Sequence, residues 1–510
     1  MKPLNDIRFK DYIWREARNR RYLLIAVAGT ILQLIIFKAL YPFADFFSDS
    51  YSYIEAAQMH LEVNVWPIGY SKFLLAIHAI TTSDTAVVAI QYLLLESAAL
   101  YFFFTTLYFF EPGIKSRNIL FAFLFFNPLF LYLSNYINSD PLFAGLSLVW
   151  LTQLIWIIWR PNLSQLFIHG IILFLAFTVR NNAYYYPVIS AIVFVISNQQ
   201  LWRKVLGIAL PLALIFVFVE HTKRAAYKMT GVRQFSFFTG WQLANNALYG
   251  FRGMQIDSTQ LPTAESRELY KLSKAFYAQV PKDFNSKILK DNIGNFFIVY
   301  PYAPLKDYME THYKMNNSYD VIAAWGKASA VFAPYGSYLL KKHPFAFARY
   351  FMLLNAKNYL IPPLEKLERY NLGRDDVPTK VQEWFDYPTP NVSAVSKTAQ
   401  GTILIWVPTL FLLLNIYFMG TLFWYLFRKG YRSATAPFNK SVLLFSCFII
   451  INAGFSIGAA MIVFRYEFFP MMVLLTTSLL LLEKVEEKKP DKKLVKTDPY
   501  AGLQEQLAKA

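Results

Sequence analysis

The sequence predicts an all-α polytopic membrane protein of about ten transmembrane helices, with a mostly helical outer-face domain inserted before the last three spans. Three observations predict it. Apolar residues make up 55% of the 510, aromatics 18% and charged residues only 16%, a composition suited to solvation by lipid. The apolar residues come in blocks near the ~20 residues a helix needs to cross a hydrocarbon layer of about 30 Å. Lysine and arginine cluster in short segments between those blocks, as cytoplasmic connectors do.

Taken in order, the candidate spans fall at about 22–41, 86–110, 119–136, 142–159, 165–179, 183–198, 205–220, 402–427, 440–463 and 467–482. The first block follows a basic stretch, as in a signal peptide, but it is long and no small-residue cleavage site follows. It reads as a retained span. The N-terminal arm, with Arg15, Arg18, Arg20 and Arg21, is expected in the cytoplasm. Ten spans then put Lys115/Arg117, Arg160, Arg203/Lys204, Arg428/Arg432 and the lysine-rich tail on that same side. The pair 165–179 and 183–198 is short for two crossings. Counting it as one span would move Arg203/Lys204 and the tail outside, against the charge rule. The pair therefore reads as a hairpin with its tip, Thr178 to Asn182, near the outer surface. The expected location is the cytoplasmic (inner) membrane, multi-pass, with both termini cytoplasmic.

This topology divides the chain into a transmembrane core (1–220) carrying the first outer loop (42–85), an outer-face domain (221–401), C-terminal transmembrane helices (402–482) and a charged cytoplasmic tail (483–510). The outer segment is too long for a simple connection and should have its own structure. Within it, Pro344–Leu360 reads as an aromatic and basic helix, suited either to the membrane interface or to packing inside the outer domain. The net charge of +17 would suit nucleic acid, but its basic residues are spread over connectors, so no nucleic-acid partner is expected. The lone Cys447 lies in an apolar block and reads as a small hydrophobe.

The candidate chemistry sits at outer span ends. Asp49, Tyr53 and Ala56 fall at helical spacing, and a helix starting near Ser48 to Ser50 would hold Asp49 where backbone N–H groups favour its ionised form. A plain N-cap aspartate fits that pattern too. Asp140 recurs at the outer end of the third span, and two carboxylates beside headgroups need partners or a task. Arg180, Lys223, Arg224 and Arg465 supply positive charge at other outer ends, and guanidinium grips phosphate in a bidentate fork. Singly, each reads as a snorkelling interface residue. Tyr53, and Tyr466 beside Arg465, complete the candidate substrate-binding set.

In Ser48-Asp-Ser-Tyr-Ser-Tyr-Ile-Glu-Ala-Ala57, Trp66-Pro-Ile-Gly-Tyr70, Asn127-Pro128 leading to Ser139-Asp-Pro-Leu-Phe143, Phe177-Thr-Val-Arg180 and Arg465-Tyr-Glu-Phe-Phe-Pro470, the chain resembles the GT-C superfamily of membrane glycosyltransferases. The protein mannosyltransferase and aminoarabinose transferase group is the most similar part of it. The motifs are degenerate, and their order and side of the membrane carry the match. The resemblance implies inverting transfer of a sugar from a polyprenyl-phosphate carrier at the outer face, with an acid of the first outer loop as base. Asp49 would be that base, Asp45 its competitor, and Asp140 a supporting acid. Many relatives carry two adjacent acids in that loop, whereas Ser50 follows Asp49 here, so a divalent cation is not supported and no cofactor is implied. The implied partners are a polyprenyl-phosphate-linked sugar donor, membrane lipids, and an acceptor that the sequence leaves open among glycan, lipid and protein.

Other chemistries find little footing. There is no Gly-rich nucleotide loop, no Gly-x-Ser-x-Gly elbow, and the six histidines lack metal-ligand spacing. The rival from another class is a membrane transporter or flippase for a lipid-linked or anionic substrate; Glu96 in the second span reads either as a midplane functional group or as a helix-packing contact.

Overall fold

The computed structural model describes residues 7–281, 293–459 and 461–486; the expected tail lies, from residue 487, outside them. Among the described residues, eight helices are long and apolar enough to cross a membrane. After a short amphipathic α1 (Phe9–Arg15) come α2 (Ala17–Leu40), α3 (Ser48–Gln58) and α4 (Gly69–His78), the last two in the first loop. The long α5 (Asp84–Phe110) is followed by α6 (Ile114–Phe125) and α7 (Leu129–Asn135), which form one span broken at Asn127-Pro128. Pro128 has no N–H to continue the helix, and the Asn127 side chain accepts from Leu129 N at 3.1 Å to restart it. Then comes α8 (Ser139–Trp159), capped by Asn138, whose side chain accepts from Ser139 N.

The expected short hairpin is present as α9 (Leu163–Val179) and α10 (Tyr186–Ile196), apolar but shorter than the other spans. The start of α10, just past the tip, is pinned to α8 by Trp150, whose ring stacks on Tyr186 at 3.9 Å and donates to Ser190 Oγ at 3.0 Å. Such close packing, rather than hydrophobic transfer, is what holds apolar helices together in lipid. One loop position depends on glycine: a Cβ at Gly69 would stand 2.5 Å from the Thr178 carbonyl oxygen, so only glycine lets the first loop meet the hairpin tip.

The seventh span differs from expectation. Helix α11 (Leu201–Thr230) runs unbroken past residue 220 and ends at Gly231, whose φ of 75° suits a glycine C-cap. Its charged end does not stop it, because a polar face satisfies a helix in water as well as an apolar face does in lipid. Beyond it, Trp241, Leu248, Leu269, Phe332 and Tyr335 build a second hydrophobic core, separate from that of the spans. The stretch 344–360 is helical in three pieces, Pro344–Phe347, a π-turn Ala348–Met352 and Leu353–Leu360. Phe351, Asn355 and Tyr359 are buried, while Phe345 and Leu353 stand exposed, so one face packs and the other is free.

From Leu364 to Val392 the chain returns to the first core. It is tied there by Tyr370 Oη donating to the Ala44 carbonyl (3.1 Å), Val395 N to the Leu40 carbonyl (2.8 Å) and Phe464 N to the Pro363 carbonyl (2.9 Å). These bonds lash the segment between the first loop and the start of the last helix, Phe464–Glu486.

Candidate active site

The hydrogen bonds of the first loop leave Asp49 free to face the site. Helix α3 begins at Ser48, and its end is closed by Ser50 Oγ, which accepts from Phe47 N at 3.1 Å. Asp49 is therefore in the first turn without being the cap. Its carboxylate is approached by Arg465 at 3.5 Å and Lys366 at 3.9 Å. Burial pushes the Asp49 pKa up, but Lys366, Arg465 and Arg180 outweigh burial and hold the carboxyl below the usual carboxylate range.

Asp140, in the first turn of α8, lies on the other side of Arg465. It accepts from Arg465 at 3.1 Å, from Asn138 Nδ2 at 2.7 Å, and from Arg180 at the hairpin tip. Arg180 also donates to Ser139 Oγ (3.2 Å), which shares a hydrogen bond with Tyr53 Oη (2.9 Å). Tyr466 lies between the two guanidiniums, with Arg180 4.5 Å and Arg465 4.9 Å from its ring centroid. Arg180, Asp140, Arg465, Asp49, Tyr53 and Tyr466, drawn from four stretches of sequence, thus form one cluster.

Two further members have no counterpart in the sequence reading. Glu365 Oε2 stands 3.7 Å from Arg465 Nε, and Lys366 Nζ lies 4.2 Å from the Phe47 ring centroid. The lashed segment delivers them: the Lys366 carbonyl accepts from Tyr136 Oη, and Glu365 sits at φ 56°, a left-handed conformation costly for a non-glycine residue. The left-handed backbone at Glu365 is invisible in sequence.

Lys223 and Arg224 do not join the cluster. Because α11 continues through them, Lys223 pairs with Glu220 on the helix surface at 2.9 Å and Arg224 is exposed. Asp45 is near but enclosed. Its backbone bridges Tyr136, and its carboxylate accepts from Asn371 N at 2.8 Å. Burial pushes its pKa up to about 7, against the hydrogen bond from Asn371.

Two cavities flank the cluster. One, of about 370 Å³, is mostly apolar and runs among membrane-helix residues Phe455, Gly458 and Ala459, with Tyr53, Arg180 and Tyr466 in its wall. The other, of about 390 Å³, lies toward the second hydrophobic core and is lined by Asp49, Glu55, Lys366 and Arg465. Trp66, Phe238 and Met461 line both, and the Trp66 and Phe238 rings touch at 4.7 Å between centroids. Asp45 lines neither. Among the described residues no group of three or more His, Cys, Asp or Glu side chains is placed to hold a metal ion.

No protein-family model, curated protein or solved structure matches the chain. The site's chemistry therefore has to be read from its own geometry. A depressed carboxylate at a cavity wall can accept a proton from a bound hydroxyl, and paired guanidiniums at an apolar cavity can hold a lipid phosphate.

Proposed function

We propose that the protein is an inverting glycosyltransferase that moves a sugar from a polyprenyl-phosphate carrier to an acceptor hydroxyl at the outer face of the cytoplasmic membrane. The observation that carries this reading is the division of one charge cluster between two cavities. Arg180 and Tyr466 face the first cavity, Asp49 faces the second, and Arg465 links them by contacts to Tyr466 and Asp49. In this reading the carrier's tail lies against the membrane helices and its phosphate reaches Arg180. The acceptor fills the outer cavity with its hydroxyl at Asp49. The expected placement of the basic connectors on the cytoplasmic side supports an outer-face site.

One displacement accounts for the chemistry. The acceptor oxygen attacks the anomeric carbon and its proton passes to Asp49. The bond from that carbon to the phosphate oxygen breaks, and polyprenyl phosphate leaves with the electron pair, stabilised by Arg180 and Arg465. Asp140 is a positioning residue, since its oxygens are taken up by Arg180, Arg465 and Asn138.

The test is transfer of radiolabelled sugar from a polyprenyl-phosphate donor by protein reconstituted in liposomes, with flux of the same donor followed in parallel. Transfer that Asp49→Asn abolishes is the expected result. Flux without transfer would replace this reading with a transporter.

A further inference from the structure

The outer cavity carries more positive than negative charge. Lys306, Lys366, Lys380 and Arg465 line it against Asp49 and Glu55. Three of these cations already have carboxylate partners within the protein. Lys380 pairs with Glu55, which also accepts from Ser318 Oγ at 2.6 Å; Lys366 lies between Asp49 and Glu365; and Arg465 is shared among three carboxylates.

Lys306 is different. It projects from the outer-domain helix Pro304–His312, and its ammonium lies 4.4 Å from the Trp325 ring centroid and 5.4 Å from that of Trp241. Among the described residues no carboxylate is within ion-pair distance of it. Indole faces attract a cation but cancel none of its charge. Burial lowers the Lys306 pKa below the ordinary lysine value, with Glu310 opposing, so a nearby anion would stabilise the charged form. Trp325, against which Lys306 rests, lines the same cavity, and an aromatic face suits the apolar side of a sugar ring.

We infer that the acceptor is an anionic carbohydrate, whose phosphate or carboxylate pairs with Lys306 while its reacting hydroxyl lies at Asp49. This rests on the transferase reading for the word acceptor; the anion site stands on the cavity alone. A ligand filling the cavity touches Asp49 from the membrane core and Lys306 from the outer domain, so the anion would also set which face of the sugar meets the base.

Calorimetric titration of the full chain in lipid nanodiscs tests it, with glucose, glucose 6-phosphate and glucuronate as probes. At least one of the two anions is expected to bind tenfold or more tightly than glucose, and the tighter one identifies phosphate or carboxylate as the source. Lys306→Met is expected to remove that preference while leaving glucose binding unchanged, and Lys306→Arg to restore most of it. Equal binding of glucose and both anions by the wild type, or an undiminished preference in Lys306→Met, would overturn the inference. If Asp49→Asn abolishes transfer and no anion preference exists, this inference falls alone. If the preference exists but Asp49→Asn transfers normally, the catalytic reading falls and an anion site remains.

Discussion

The Arg465 guanidinium donates to Asp140 at 3.1 Å, and both side chains are only 4% exposed. Asp140 also accepts from Arg180, so one carboxylate neutralises much of two buried cations. Removing one partner of such a pair leaves an uncompensated charge and costs about 3–5 kcal/mol. Asp140→Asn is therefore expected to lower the apparent melting temperature by several degrees and to reduce transfer through misplaced arginines. An unchanged melting curve would show that Asp140 is not the anchor of this network.

Asp49 is expected to behave oppositely. Its side chain is 16% exposed, it faces a cavity, and its contacts with Arg465 are long at 3.5 Å. Asp49→Asn keeps the shape and removes the proton acceptor of the proposed reaction, so transfer should fall about 10²- to 10⁴-fold, with a smaller loss of melting temperature than Asp140→Asn. Single-turnover transfer and a thermal scan of the same reconstituted protein check the two halves, and retained activity would sink the assignment.

Much of this site can be read in sequence because membrane topology does the sorting. Once spans and basic connectors assign sides, Asp49, Asp140, Arg180 and Arg465 must all lie at the same end, and the structure joins them in one cluster. Span length likewise marked the α9–α10 pair as unusual, and it is. What failed was inference from charge at a helix end: Lys223 and Arg224 read as leaving the membrane toward the site, yet α11 simply continues. Glu365 and Lys366 were out of reach because irregular chain has no period. Their position depends on hydrogen bonds to Tyr136 and Phe464, partners far away in sequence.

Those two outcomes can be set against each other. Lys223→Ala with Arg224→Ala touches only surface contacts and should leave the transfer rate unchanged and stability within ~0.5 kcal/mol. Lys366→Met removes the strongest of the charges holding the Asp49 pKa down. In the wild type the base stays ionised as pH falls through the usual carboxylate range, so the acid limb of transfer should lie below that range. In Lys366→Met that acid limb should move to higher pH. A pH–rate profile with no displacement between the two proteins would exclude Lys366 from the site.

The contest between Asp45 and Asp49 has a separate signature in stability. Folded Asp45 has a pKa of about 7, whereas an unfolded aspartate titrates near ~3.9. Between those values the folded chain holds a proton that the unfolded chain has lost. The stability this gives is fully present below about pH 4 and disappears as pH rises through about 7. Asp45→Asn imitates the protonated form, can still accept from Asn371 N, and should therefore retain transfer. Its apparent melting temperature should fall less than the wild type's between pH 5 and pH 8, read by thermal scans in matched buffers. Should Asp45→Asn abolish transfer while Asp49→Asn does not, the base is Asp45, and the cavity at Asp49 serves another purpose.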